Sequence, residues 1–279
     1  VTASHRPASW SEGWSGEPLG LWRGAVTRIE ATGSTGGTVD LREQAIEFSS
    51  RGDRVPGRLL LPREGRGPFP VVLLQHGAGG CKSAPYIEQI GAPWVERGVA
   101  LLCIDFPLHG ARRNPKLLEL MQEGRNPDAS PTARTVRDDC VRQAVVDLRR
   151  TLDAAEKISE LDSDRVAYVG LSLGAIIGAT FCAHDPRPCA AALALGGGGF
   201  GAPDVDPAEQ VGRFAPRPLL FVNGARDETV PPAAAKRLHE AAGEPKEIHW
   251  FDGGHREMPG AAIKKMWLFL ARHLEVGGA

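Results

Sequence analysis

The chain has 279 residues, a formal net charge of -1 and a pI near 6.8. Its 42% hydrophobic content excludes the disordered and fibrous classes. The near-neutral balance offers no basic field for nucleic acid or an anionic membrane, and the longest apolar runs, such as residues 99–104, are far too short to span one.

The cysteines (Cys81, Cys103, Cys140, Cys182 and Cys189) number five, so at least one is unpaired, and none has zinc-type CxxC spacing. They read as small buried hydrophobes, with a local Cys182–Cys189 bridge left open. No signal-peptide pattern stands at the start, so a cytoplasmic location is expected unless a leader once preceded Val1.

Residues 1–40 are rich in Gly, Ser, Thr and Trp without periodicity. They are expected to form an irregular arm, pinned to the body by Trp10, Trp14 and Trp22. The stretch EQAIEFSSRGDRVPGRLLLP then reads as a hairpin of two short strands about a Gly-Asp turn. FPVVLLQHGAGG and VALLCIDFP are continuous apolar runs, the mark of strands buried on both faces. VAYVGLS, CAAALALGGGG, RPLLFVNGARD and KEIHWFDGGH complete the set of strands.

Helices are predicted near residues 84–97, 133–157, 173–184, 232–242 and 260–274. The second spaces Val136, Cys140, Val141, Ala144, Val145, Leu148 and Leu152 at three- and four-residue intervals, an amphipathic face. Strands alternating with helices predict a mostly parallel sheet with helices on both faces, in one domain over 41–279. Chemistry in such sheets gathers beyond the carboxyl ends of the strands. Residues 107–132, with four prolines, have no strong pattern and are expected to cross the sheet edge as a small flap.

The pentad Gly170-Leu-Ser-Leu-Gly174 lies between an apolar strand and a helix. A serine on that turn projects its hydroxyl above the sheet, and the helix beginning at Leu173 points its free N–H groups at the same place. Ser172 is therefore the candidate nucleophile. A serine needs a base, and the base an orienting carboxylate. Asp227 and His255 follow in the expected order, each just past a predicted strand. Asp204 and Asp206 are weaker candidates for the acid. Asp252 shapes the turn before His255, and His184, His239 and His249 read as structural. The oxyanion donors are expected to be the N–H of Leu173 and that of Ala78 in HGAGG, with Gly79 as second choice. The His76 ring is expected to brace that loop.

HGAGG (76–80), DFPLHG (105–110), GLSLG (170–174), GARDETVP (224–231) and DGGH (252–255) occur in order. Together they resemble an α/β-hydrolase, and within that superfamily the dienelactone-hydrolase-like and small-esterase branch. The resemblance covers about residues 41–275. It implies an eight-stranded sheet whose first hairpin is antiparallel to the rest, with Ser172 as nucleophile, Asp227 as acid and His255 as base. Dienelactone hydrolases proper usually carry Cys at the nucleophile position. Serine here shifts the expectation to ordinary ester hydrolysis of a small or medium soluble substrate, with no metal and no cofactor. Rival readings are an amidase or peptidase, a cofactor-free perhydrolase, and a non-catalytic binding protein on the same fold. The connection after Leu195 is too short for a cap, so cover is expected from Leu117, Leu118, Leu120 and Met121. These form either an apolar flap over the pocket or a turn of helix packed on the body. Arg112, Arg113, Lys116 and Arg125 lie in the same segment, and His109 is placed near the rim with no assigned role. Oligomeric state is not legible.

Overall fold

The structure is a computed structural model that describes residues 16–32, 37–126 and 128–277. Strands β1 (Trp22–Thr32), β2 (Thr38–Ser50) and β3 (Asp53–Pro62) run antiparallel in succession. Arg51 and Gly52 turn β2 into β3, both at positive φ, the two-residue hairpin geometry that matches strand twist. The turn thus lies one residue earlier than predicted, and Asp53 already pairs with Ser50.

Strands β4 (Phe69–Gln75), β5 (Ala100–Ile104), β6 (Leu161–Leu171), β7 (Pro188–Ala194), β8 (Leu219–Gly224) and β9 (Lys246–Phe251) make the parallel part. The sheet order is β1-β2-β3-β5-β4-β6-β7-β8-β9. It has nine strands among the described residues, not the eight implied by the resemblance. The extra one, β1, comes from the stretch expected to be irregular. Its sequence alternates weakly because it is an edge strand, exposed along most of its length, so no buried face wrote a pattern into it. Trp10 and Trp14 lie outside the described residues. Trp22 is 53% exposed. The tie is made instead by Leu19 and Leu21, which pack on the core, and by Glu17, which accepts the Arg51 and Gly52 N–H groups.

Helices α1 (Pro85–Glu96) and α7 (Gly260–His273) cover one face, where Leu74, Leu101 and Val169 meet Trp94, Met266 and Leu270. Helices α3 (Pro131–Ala155), α4 (Leu173–His184) and α6 (Pro232–Ala241) cover the other. The amphipathic face predicted on α3 buries Val141, Ala144, Val145, Leu148 and Leu152. Each large side chain of that kind is worth roughly 1.5–3 kcal/mol against exposure. Ser130 caps this helix through the Ala133 N–H and Pro131 opens it, so it starts two residues before the predicted 133. Helix α5 (Pro207–Gln210), a single turn after β7, was too short to register in the sequence.

The segment 107–132 contains helix α2 (Pro115–Glu123), capped by the Asn114 side chain and packed against α3. Met121 is buried, whereas Leu117 is 40% exposed. This is a helix laid on the body, the second of the two readings the sequence left open. Arg112 is committed to the buried Asp147 and to Asp53, and is not offered to a substrate. All five cysteines are free. Cys182 and Cys189 belong to the cores on opposite faces of the sheet, which rules out the local bridge. Among the described residues no helix is long and apolar enough to cross a membrane.

Candidate active site

β4 and β6 are neighbours, but the chain leaves β4 for β5 on one side and β6 for β7 on the other. Such a switch point opens a crevice beyond the strand ends. The register pairs Gln75 with Gly170, so the loops after both strands emerge side by side. Gly77, just past β4, lies directly against the serine; a Cβ added there would stand 3.2 Å from the Ser172 Cβ.

Ser172 caps α4 with φ 55 and ψ -113, a conformation that L-residues rarely adopt. Its N–H donates to the Ala194 carbonyl (2.8 Å), and its carbonyl accepts from the Ala175 and Ile176 N–H groups (2.9 and 3.0 Å). These bonds over-determine the strained turn. Neighbouring small residues permit it. A Cβ on Gly170 would collide with the Gly174 carbonyl, and one on Gly174 would stand 2.7 Å from the Gln75 carbonyl oxygen. Leu108 and Leu195 also have positive φ, so strained non-glycine residues follow β5 and β7 as well as β6.

Asp227 lies in the loop after β8 and His255 in the loop after β9. The His255 Nδ1–H donates to Asp227 Oδ2 at 2.7 Å. His255 Nε2 then accepts from the Ser172 hydroxyl at 2.8 Å. Asp227 is buried, and its other oxygen accepts the Thr229 and Val230 N–H groups, both at 2.9 Å. The carboxylate is thereby fixed on both oxygens. The His255 side chain is 17% exposed, and Ser172 is partly buried. Asp204 is occupied by Arg142, and Asp206 caps α5, so neither alternative acid reaches the imidazole. Asp252 pairs with Arg226 on the surface.

Ala78 and Gly79 form the tip of a turn closed by the Gly80 N–H to the Gly77 carbonyl (3.1 Å). Gly79 has φ +76, which makes this a type II turn and requires glycine at that position. The Ala78 N–H takes no acceptor among the described residues. The Leu173 N–H opens α4 and has no intrahelical carbonyl to bond. The His76 ring braces the turn as expected. Its Nδ1–H donates to the Gly77 carbonyl (2.8 Å) and its Nε2 accepts the Phe106 N–H (3.3 Å). Burial holds this imidazole neutral, with its pKa lowered to about 4. His109 is not at the rim. It is buried beside His76, ring centroids 5.3 Å apart, with Nδ1–H donated to the Pro107 carbonyl.

Several contributors had no sequence signal. Tyr86 accepts the Gly77 N–H through its hydroxyl (3.0 Å), and Glu257 accepts the Gly254 N–H (2.7 Å), which steadies the turn before His255. Asn223 donates to the Gly196 carbonyl and accepts from the His239 Nε2–H, which braces the loop after β7. A cavity of about 220 Å³ beside Pro107 and Leu108 is lined also by Asp53, Arg54 and Arg112, and not by the serine. Among the described residues no group of three His, Cys, Asp or Glu side chains is placed to hold a metal ion.

The model of the dienelactone hydrolase family matches residues 55–256. The chain belongs to that family. As a dienelactone hydrolase family member it is a hydrolase. No curated protein matches it. Among solved structures it is similar to a cold-adapted esterase from an Arctic intertidal metagenomic library, at 26% identity and a TM-score of 0.65 over 84% of this chain and 94% of that one. It shares the fold of an acetyl xylan esterase from Paenibacillus sp. R4 (19% identity, TM-score 0.66, 92% of this chain and 90% of that one). It also shares the fold of acetyl xylan esterase 1 from Thermoanaerobacterium sp. (15% identity, TM-score 0.61, 88% and 87%).

Proposed function

We propose that this family member is a serine esterase, cleaving carboxylic esters of small or medium soluble substrates through an acyl-enzyme. The observation that carries the reading is the continuous chain Ser172 Oγ–His255 Nε2 (2.8 Å) and His255 Nδ1–Asp227 Oδ2 (2.7 Å). Similarity to a cold-adapted esterase over most of both chains supports it.

His255 takes the Ser172 proton as the oxygen attacks the ester carbonyl. Asp227 keeps the ring in the tautomer that leaves Nε2 free to accept, and stabilises the imidazolium that forms. The N–H groups of Leu173 and Ala78 take the developing oxyanion charge. His255 then protonates the departing alcohol. Water enters, loses a proton to His255, attacks the acyl carbonyl and releases the acid with Ser172 restored.

The test is Ser172→Ala assayed with p-nitrophenyl acetate, with a fluorophosphonate probe read by mass. Loss of kcat on the order of 10⁶, as in another serine hydrolase, and loss of the adduct are expected. Activity within tenfold of the parent refutes the assignment. A matched anilide substrate separates esterase from amidase.

A further inference from the structure

Resting on the esterase reading, we infer that Lys82 and Asp105 form a positioning pair that holds the Ala78 N–H in place for the transition state.

Asp105 follows β5 and is fully buried. Its Oδ1 accepts the Lys82 backbone N–H at 2.8 Å, and its Oδ2 accepts the Lys82 ammonium at 2.7 Å. Oδ2 also accepts the Ala111 N–H at 2.9 Å. One carboxylate thus ties the loop after β4 to the loop after β5, using both a main-chain and a side-chain bond to a single lysine. Gly110 wraps so closely over this carboxylate that a Cβ would overlap it, and its φ is +54. Neither loop can slide while the three bonds hold.

The Ala78 turn lies between two anchors. Upstream, Gly77 is held by the Tyr86 hydroxyl and by the His76 ring. Downstream, Cys81 packs on the core and Lys82 supplies the first side-chain hydrogen bond of the loop. Without the ammonium that end keeps only the packing and the Lys82 N–H bond, and the donor at the tip is aimed less firmly. Removing a whole oxyanion donor costs about 10²–10³ in kcat, so an unaimed one costs tenfold or more. Ground-state binding does not use this N–H, so KM stays.

The experiment compares Lys82→Met, Lys82→Arg and the double variant Lys82→Met/Asp105→Asn on p-nitrophenyl acetate, with melting temperatures in parallel. The double variant removes the ion pair without stranding a buried charge and leaves the Asn amide oxygen to accept the Lys82 N–H, so it reports even where Lys82→Met folds poorly. Expected are a fall in kcat of tenfold or more in Lys82→Met and in the double variant, KM within twofold, and recovery to within threefold in Lys82→Arg. A kcat within twofold of the parent in the folded double variant overturns the pair. So does a loss carried wholly by KM. If Ser172→Ala keeps its activity, it is the esterase reading that fails, and that result is separate.

Discussion

Gly174 stands against Gln75: a Cβ on the first would lie 2.7 Å from the carbonyl oxygen of the second. The contact is backbone to backbone, so no side-chain rotation relieves it. Gly174→Ala must push α4 away from the end of β4, and with it Ser172 from the Ala78 turn. We expect a loss of stability of about 1–3 kcal/mol or more, as for other overpacked sites. Denaturant midpoints measure it. Specific activity per folded molecule should fall as well; an active, stable Gly174→Ala enzyme contradicts this packing.

Ala78 occupies the second position of its type II turn, where proline is favoured. Ala78→Pro therefore deletes the N–H and leaves the turn in place. The expected outcome is a kcat lower by about 10²–10³ on an activated ester, with fluorescence and melting behaviour like the parent. Full activity in Ala78→Pro assigns the oxyanion elsewhere.

Asp227→Asn tests the acid. The amide oxygen can still accept the Thr229 and Val230 N–H groups, but the NH₂ faces His255 Nδ1 and favours the tautomer protonated on Nε2. That imidazole cannot accept the Ser172 proton. The expected fall is about 10⁴ in kcat, without unfolding. A circular dichroism spectrum beside the assay separates the two effects.

Buried neutral histidines set an acid limit to stability. Burial lowers the pKa of both His76 and His239 from 6.5 to about 4, and for His239 the Lys246 charge adds to it. Between those values the unfolded chain binds protons that the folded one refuses, so stability rises with pH through this window. It should be complete above about pH 6.5 and decline as pH falls toward 4. Melting scans at half-unit steps show the slope. His239→Gln should make it shallower, and an unchanged slope removes His239 from the account.

The parallel strands and the glycine pentad were legible because buried strands and a tight turn leave strong marks: β4 and β5 read as unbroken apolar runs. Ser172, Asp227 and His255 were legible from their order, each just past a strand (β6, β8 and β9), and the structure sets them within hydrogen-bond distance. Strand β1 was not, since an exposed edge strand carries no apolar period. The role of 107–132 was also obscure. The few apolar residues of α2 suit a flap as well as a docked helix, and only packing on α3 decides. Lys82 acts through a contact between loops distant in sequence, which no local pattern records. Tyr86 and Glu257 act over shorter spans, through side-chain bonds to backbone N–H groups that belong to no recognised motif.

His255 hangs from β9, the outermost strand on its side of the sheet, paired along one edge only and partly exposed over nearly its whole length. Such margins open at a fraction of the free energy of global unfolding. Mild urea should therefore silence turnover while far-ultraviolet ellipticity is still native, and dilution should restore it at once. The enzyme's working range would then be narrower than its melting curve implies, bounded by the fraying of one short strand.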